Sequence, residues 1–326
     1  MIEYDAHHWR SHLLDIRGSM VREIFARVFT GVVWSAIVVA VVRYVDIPPI
    51  HIGFGRILDF DLDDLIIPLT AHTLLGVALS LLLVFRTNSS YDRFWEGRKL
   101  WGGIVNETRN LARLACVHLA GDTQLRNSVI RWTIAFPYAS MHQLRKGASL
   151  GAVACRLGSV EAQQACVAQH VPLEVSRRIT ELLKQAREQG LISEYLMVNI
   201  DQNVQLLIDY LGGCERIHRT PMPFAYMVHL RRAIILYTFT LPFALYRDFG
   251  WATILVTFLV AFFFFGIEEI GVTIEDPFEG EDNDLPLEDI CRTIDANLSA
   301  MIGDDPAPPP VKNSPSLVSN GAVLSK

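Results

Sequence analysis

The sequence lacks the motifs on which several large enzyme classes depend. It contains no Walker phosphate-binding loop, no G-x-G-x-x-G string and no H-E-x-x-H string, so neither nucleotide chemistry nor zinc proteolysis is indicated. Lysine is scarce, with 5 of the 29 basic residues, and a net charge of −6 without a dense basic cluster argues against nucleic-acid binding. No enzymatic activity is expected.

Disulfide-stabilised secreted folds are not indicated either. The five cysteines are odd in number and share no C-x-x-C spacing, which is typical of packing roles in a reducing compartment. The first 20 residues lack a continuous apolar core, so no cleavable signal peptide is predicted. Membrane targeting therefore depends on later segments.

Long apolar runs are what the sequence does contain. Residues 65–85 form 21 uncharged residues and residues 249–267 form 19, each close to one bilayer crossing. Residues 28–42 (15) and 233–246 (14) are shorter, and they span a membrane only if the flanking arginines extend to the interface. A buried helix in a soluble core is the alternative for each short run. Because the same chain contains two strong spans, the two short runs are also predicted to cross the membrane, which gives four transmembrane helices.

Basic residues are distributed unevenly between these runs. The connection from 46 to 64 carries one Arg and five Asp, whereas arginines are concentrated before the first run, after the second and before the third. The positive-inside rule then places both termini and residues 86–229 in the cytoplasm. The predicted organisation is a cytosolic N-terminal arm (1–23), two transmembrane helices with a periplasmic or extracellular link (24–85), a cytosolic helical domain (86–228), two further transmembrane helices (229–268), a cytosolic acidic segment and helix (269–303) and a disordered tail (304–326).

The predicted fold class is therefore an all-α membrane protein. Within the cytosolic domain, apolar residues recur at helical spacing and no strand alternation is evident. One such stripe consists of Leu196, Ile200, Val204, Leu207 and Leu211.

The second apolar run carries a stripe of its own. Val77, Leu81 and Phe85 are spaced i, i+4 and i+8, so they stack along one helix face. Periodicity alone leaves two interpretations open: a surface for lipid or helix packing, or the lining of a pore.

An acidic string, IEDPFEGEDNDLPLED, occupies residues 274–289. Its oxygens suit a hard cation such as calcium, but the EF-hand spacing is missing. A solvated acidic loop before a helix is the alternative.

Several strings agree in order and kind with one known family. They are FRTNSSYDRFWEGRKLWG (85–102), CERIHRTPMPFAY (214–226), EDPFEGEDNDLPLEDICR (275–292) and the early pairs His8–Trp9 and Gly18–Ser19. This set resembles the bacterial branch of the bestrophin family of ion channels, and the resemblance extends to about Gly303. It implies a homopentamer around an axial pore, with four transmembrane helices and a large helical cytosolic domain in each subunit.

The resemblance also implies a site. Relatives have a narrow apolar neck on the second span, with three residues one turn apart and the last one immediately before the Arg of the F-R string. Matched onto this sequence, the neck residues are Val77, Leu81 and Phe85, the stripe already found from spacing. Five copies of each side chain are expected to form apolar rings that control ion flow by size and dewetting.

Two further site predictions follow from the resemblance. A cytosolic constriction is implied at Ile217 and Thr220. The calcium clasp of animal relatives matches Asp276, Glu281 and Asp284, which makes calcium the candidate metal, although no cofactor is required.

The predicted function is a passive channel in the inner (plasma) membrane for small monovalent ions. The partners are the chain itself, the lipid bilayer and small inorganic ions. Chloride-type anions and monovalent cations both remain candidates, because apolar rings carry no fixed charge to choose a sign. A non-conducting, membrane-anchored scaffold or signalling protein is the alternative. A secondary transporter is disfavoured, since no internal repeat is evident.

Overall fold

The computed structural model describes residues 20–44, 50–52, 56–58 and 67–306. These ranges contain nine α-helices, a 3₁₀ helix at Gly151–Arg156 and two short strands. The helices are α1 (Val21–Tyr44), α2 (Leu69–His118), α3 (Thr123–Leu144), α4 (Ser159–Val167), α5 (Val171–Glu188), α6 (Glu194–Arg219), α7 (Phe224–Phe249), α8 (Ala252–Thr273) and α9 (Leu287–Ile302).

The two strands form a small antiparallel hairpin between α1 and α2. Strand β1 (Ile50–Ile52) pairs with β2 (Arg56–Leu58), with Ile50 opposite Leu58. Three-residue strands are too short to show an alternating pattern, which is why the sequence does not predict them.

The chain divides into two compact units. The first consists of residues 1–101 and 213–286, and the second of residues 102–212 and 287–326. Helices α2 and α6 each contribute residues to both units.

Four helices share the core of the first unit. Trp34 in α1 donates from Nε1 to the carbonyl oxygen of Phe239 in α7 (2.9 Å), and the Tyr226 hydroxyl donates to the carbonyl oxygen of Leu82 (3.0 Å). Each helix contributes two buried side chains to one apolar cluster: Ile24 and Val28 from α1, Leu79 and Leu83 from α2, Leu230 and Ile234 from α7, Ala261 and Phe265 from α8.

Three of these four helices are long and apolar enough to cross a membrane: α1, α2 and α8. The remaining predicted span, residues 233–246, lies inside α7, which packs into the same core. Gly250 lies between α7 and α8 with a positive φ of 51°, a conformation that glycine adopts without strain. The described chain is an all-helical membrane protein, apart from the hairpin.

In the second unit, α3 packs against α5 and α9. Four of the five residues of the predicted stripe on α6 are buried, namely Ile200, Val204, Leu207 and Leu211, and Leu196 is half-buried. Arg131 in α3 donates two hydrogen bonds to the carboxylate of Asp304, at 2.7 and 3.0 Å.

Some predicted features lie outside the described residues. They are the pairs His8–Trp9 and Gly18–Ser19, most of the link between the first two spans, and residues 307–326 of the tail.

Candidate functional site

The predicted neck residues lie on an exposed face of α2. Val77, Leu81 and Phe85 are 64%, 55% and 56% exposed in the subunit. At about 100° per residue they fall within a sector of about 80°. Leu74, which is not among the predicted neck residues, falls in the same sector and is 72% exposed. A membrane helix thus presents an apolar face that its own subunit leaves unpacked.

The opposite face of α2 is closely packed. His72 lies in it, with its ring centroid 4.1 Å from that of Tyr237 and its Nε2 3.0 Å from the Thr240 hydroxyl. A Cβ added at Gly76 would come within 2.6 Å of the Tyr237 hydroxyl, so a larger residue there would force the Tyr237 side chain to move. The buried positions recur at spacings of three and four residues: His72, Gly76, Leu79, Leu83, Arg86 and Ser90.

A fully buried arginine follows Phe85, the last predicted neck residue. Arg86 is 0% exposed and donates from Nη2 to the Glu275 carboxylate at 2.6 Å. Its Nη1 donates to the Ser90 hydroxyl at 2.6 Å and contacts the Met222 sulfur at the same distance. Because a buried charge is costly without a partner, Glu275 is what makes this position tolerable for Arg86.

A second arginine, two turns further along α2, holds the predicted cytosolic constriction. Arg93 donates to the carbonyl oxygens of Ile217 (2.7 Å), Thr220 (2.6 Å) and Glu275 (3.0 Å). The C-terminal carbonyls of a helix lack partners within that helix, and Arg93 supplies donors for those at the end of α6. The side chain of Ile217 is buried, whereas that of Thr220 is exposed. Only Thr220 of this pair therefore presents its side chain to solvent in the subunit.

Two of the three acidic residues predicted to bind calcium have other partners. Asp276 Oδ2 lies 2.6 Å from His218 Nδ1, and Asp284 Oδ2 accepts from the backbone N–H groups of Gly280 (2.7 Å) and Glu281 (2.9 Å). Burial raises the pKa of Asp284, and these two backbone hydrogen bonds partly oppose the rise. Burial, together with the nearby Asp284 charge, raises the pKa of Glu281. Over the described ranges, no group of three or more His, Cys, Asp or Glu residues is arranged to hold a metal ion.

A cluster of charged side chains links three of the four core helices of the first unit: α1, α7 and α8. Glu268 in α8 is 2% exposed and accepts from Arg231 Nε in α7 at 2.8 Å. Arg27 in α1 donates to Glu269 at 2.6 Å and lies 3.5 Å from Glu268. The members of this cluster are far apart in the chain, so no sequence pattern marks it.

One serine has the spacing of a hydrolase nucleophile. Residues 147–151 read GASLG, a G-x-S-x-G string, but that motif is catalytic on a strand-to-helix turn. Here it follows helix α3 and runs into the 3₁₀ helix, and the Ser149 hydroxyl accepts a hydrogen bond from the backbone N–H of Gly151 (2.9 Å). The local structure is that of a turn between helices.

Comparison with known proteins agrees with this architecture. A family model described as bacterial/fungal bestrophin protein matches residues 1–300. A voltage-dependent anion channel-forming protein of Nostoc is 36% identical over 303 residues, which is 92% of this chain and 93% of the relative. One of Synechocystis is 37% identical over 298 residues, or 90% and 92%. The crystal structure of a bacterial bestrophin homologue from Klebsiella pneumoniae is similar with a TM-score of 0.76 at 29% identity, covering 87% of this chain and 100% of that one.

These matches span residues of both units and include α2, the helix that carries the candidate neck. They concern channel-forming membrane proteins and not enzymes. The chain belongs to the bacterial/fungal bestrophin family.

Proposed function

We propose that this chain is the subunit of a voltage-dependent anion channel of bestrophin type, with conduction along an apolar neck on α2. The anion assignment follows the relatives of Nostoc and Synechocystis, which are voltage-dependent anion channel-forming proteins. The observation that carries the proposal is the exposed apolar face of α2 at Leu74, Val77, Leu81 and Phe85, opposite a face that is fully packed.

The channel is a homopentamer around a central axis. One copy of α2 cannot enclose a pore, so its exposed face needs copies of itself. Residues on both sides of the neck sector are exposed as well, with Ser80 and Val84 on one side and Leu75 and Ala78 on the other. Two different flanks of this kind suit the head-to-tail contacts of a cyclic ring.

Four helices cross the membrane in each subunit, with α7 as the fourth. Its support is the shared core with α1, α2 and α8, and its pairing to them through Arg231 and Glu268. Both termini are cytoplasmic, as the distribution of arginine indicates. The second constriction lies at Thr220, whose side chain is exposed while its backbone is held by Arg93.

The channel conducts without a metal cofactor. Asp276 is paired with His218, and Asp284 is bound by two backbone N–H groups, so both carboxylates already have donors inside the fold. The acidic segment then has a structural role.

Reconstitution of the purified protein in planar bilayers tests the proposal. Under a tenfold KCl gradient, the current through an anion-selective pore reverses near the chloride equilibrium potential, which is about 59 mV in magnitude. The current through a cation-selective pore reverses near the potassium equilibrium potential, which has the same magnitude and the opposite sign. Light scattering in detergent should give about five times the 36.7 kDa of one chain.

A matched set of variants separates a channel from a non-conducting scaffold. Replacing Val77, Leu81 and Phe85 together by Ala should raise the current. Leu236→Ala should not, because Leu236 is an exposed leucine on α7, a helix that carries none of the predicted neck residues. A pentamer that carries no current, with or without the triple replacement, would support the scaffold. A monomer would contradict the axial pore.

A further inference from the structure

Glu275 makes three contacts with different parts of the first unit. Its Oε2 accepts from Arg86 at 2.6 Å, and its Oε1 accepts from the backbone N–H of Met222 at 2.7 Å. Its carbonyl oxygen accepts from Arg93 Nε at 3.0 Å. We refer to these four residues (Arg86, Arg93, Met222 and Glu275) as the Glu275 clasp.

The Glu275 clasp joins the two predicted constrictions. Arg86 is the residue after Phe85, the last neck residue, and it is fully buried. Met222 lies two residues after Thr220. The carboxylate of Glu275 therefore bridges the end of the predicted neck to the turn that carries Thr220. Arg93 adds a second link, because it donates to the carbonyl oxygens of both Thr220 and Glu275.

Neighbouring contacts make this bridge stiff. Asp276 binds His218 at 2.6 Å, which attaches the residue after Glu275 to the end of α6. Phe278 is buried against α2, where a Cβ added at Gly97 would meet its ring at 2.9 Å. These contacts include the buried charge of Arg86 and several charge-assisted hydrogen bonds. Because losing one of them would leave a buried charge poorly paired, we expect them to break together and not one at a time.

We infer that Glu275 is a positioning residue of the channel, which holds the neck and the Thr220 turn in one arrangement so that the two constrictions open and close together. This inference rests on the proposed function. Each constriction alone is a local feature. The clasp makes them one unit, because α2 cannot move relative to residues 217–222 without breaking either the Arg93 hydrogen bonds to that segment or the link that runs from Arg86 through Glu275 to Met222.

Single-channel recording with a double-mutant cycle tests this coupling. Leu81→Ala and Thr220→Val are made singly and together, and the open–closed equilibrium of each is measured. With Glu275 present, the open–closed equilibrium constant of the double variant should differ by about fivefold or more from the value expected if the two single changes acted independently. In the Glu275→Gln background this deviation should fall by about twofold or more, because the amide still accepts from Met222 but no longer pairs with the Arg86 charge. The direct hydrogen bonds from Arg93 to the carbonyl oxygens of Ile217 and Thr220 account for the coupling that remains.

The controls keep the test specific. Glu279→Gln removes an exposed carboxylate from the same segment and should leave the non-additivity unchanged. Arg93→Lys keeps the charge without the guanidinium geometry and should reduce the coupling; if Glu275→Gln does not assemble, this variant decides. Equal non-additivity in the wild-type, Glu275→Gln and Arg93→Lys backgrounds would overturn the inference. So would additivity in the wild type.

Failure of the inference is distinguishable from failure of the proposed function. If the wild-type pentamer conducts and the cycle shows no role for Glu275, the inference alone is wrong. If the wild-type pentamer carries no current, both fail.

Discussion

Leu81 and Leu83 lie two residues apart on α2, and the structure predicts opposite consequences for replacing them. Leu81 is 55% exposed, whereas Leu83 is 1% exposed and belongs to the four-helix core. Leu83→Ala leaves a cavity and should cost about 2–5 kcal/mol of stability. Leu81→Ala removes atoms from an open surface and should cost less than about 1 kcal/mol.

The effects on conduction should be reversed. In a pentamer, Leu81→Ala shrinks a whole ring of side chains, which widens the neck and eases its hydration. A barrier lower by about 1.4 kcal/mol passes ions about tenfold faster, and we expect a rise in unitary conductance of about threefold to tenfold. Leu83→Ala channels that do assemble should keep the wild-type conductance.

Thermal unfolding in detergent and single-channel recording measure the two quantities on the same preparations. If Leu81→Ala lost assembly and left conductance unchanged, Leu81 would be a packing residue and the neck would lie elsewhere. A higher conductance from Leu83→Ala than from Leu81→Ala would mean that the two faces of α2 have been assigned the wrong way round.

Three further predictions concern the supports of the neck and the second unit. Gly76→Ala should lower the unfolding temperature, because the new Cβ would lie 2.6 Å from the Tyr237 hydroxyl, and Tyr237→Phe should restore part of the loss. Hydrogen bonds from Arg131 hold the pKa of Asp304 below its ordinary value, so the pair stabilises the fold at neutral pH. The stability difference between wild type and Asp304→Asn should shrink as the pH falls below about 4, and a difference that grows in acid would contradict this. Currents recorded in a calcium chelator and in millimolar calcium should agree within about twofold, since Asp276 already binds His218; strong activation by calcium would refute the structural role of the acidic segment.

Periodicity in the sequence was sufficient to find the α2 stripe and the buried stripe on α6, because helical spacing alone determines which residues share a face. It could not decide what the α2 face contacts, since lipid, protein and a pore all accept apolar side chains. Leu74 was missed for a related reason. It lies on the same face, but the i, i+4, i+8 series that begins at Val77 does not include it.

The polar supports were out of reach of sequence reasoning for another reason. The ion pairs of Arg86 with Glu275 and of Arg231 with Glu268 depend on how separate helices pack, and the sequence marks no partner for either arginine. The weak third span shows the same limit. Its uncharged run is short, and what connects it with the other three is its place in the core with α1, α2 and α8, which the sequence does not show.

The buried position of Arg86 has a consequence for the order in which the protein is made. Its partner, Glu275, is 189 residues further along the chain, so at roughly 5–20 residues per second the ribosome reaches it about 10–40 s later. During that interval the guanidinium has to stay hydrated, and its place at the end of the apolar run allows it to reach the lipid headgroups. The Arg86–Glu275 pair can form only after α7 and α8 have been synthesised, so Arg86, beside the predicted neck, lacks this partner until most of the chain has been translated.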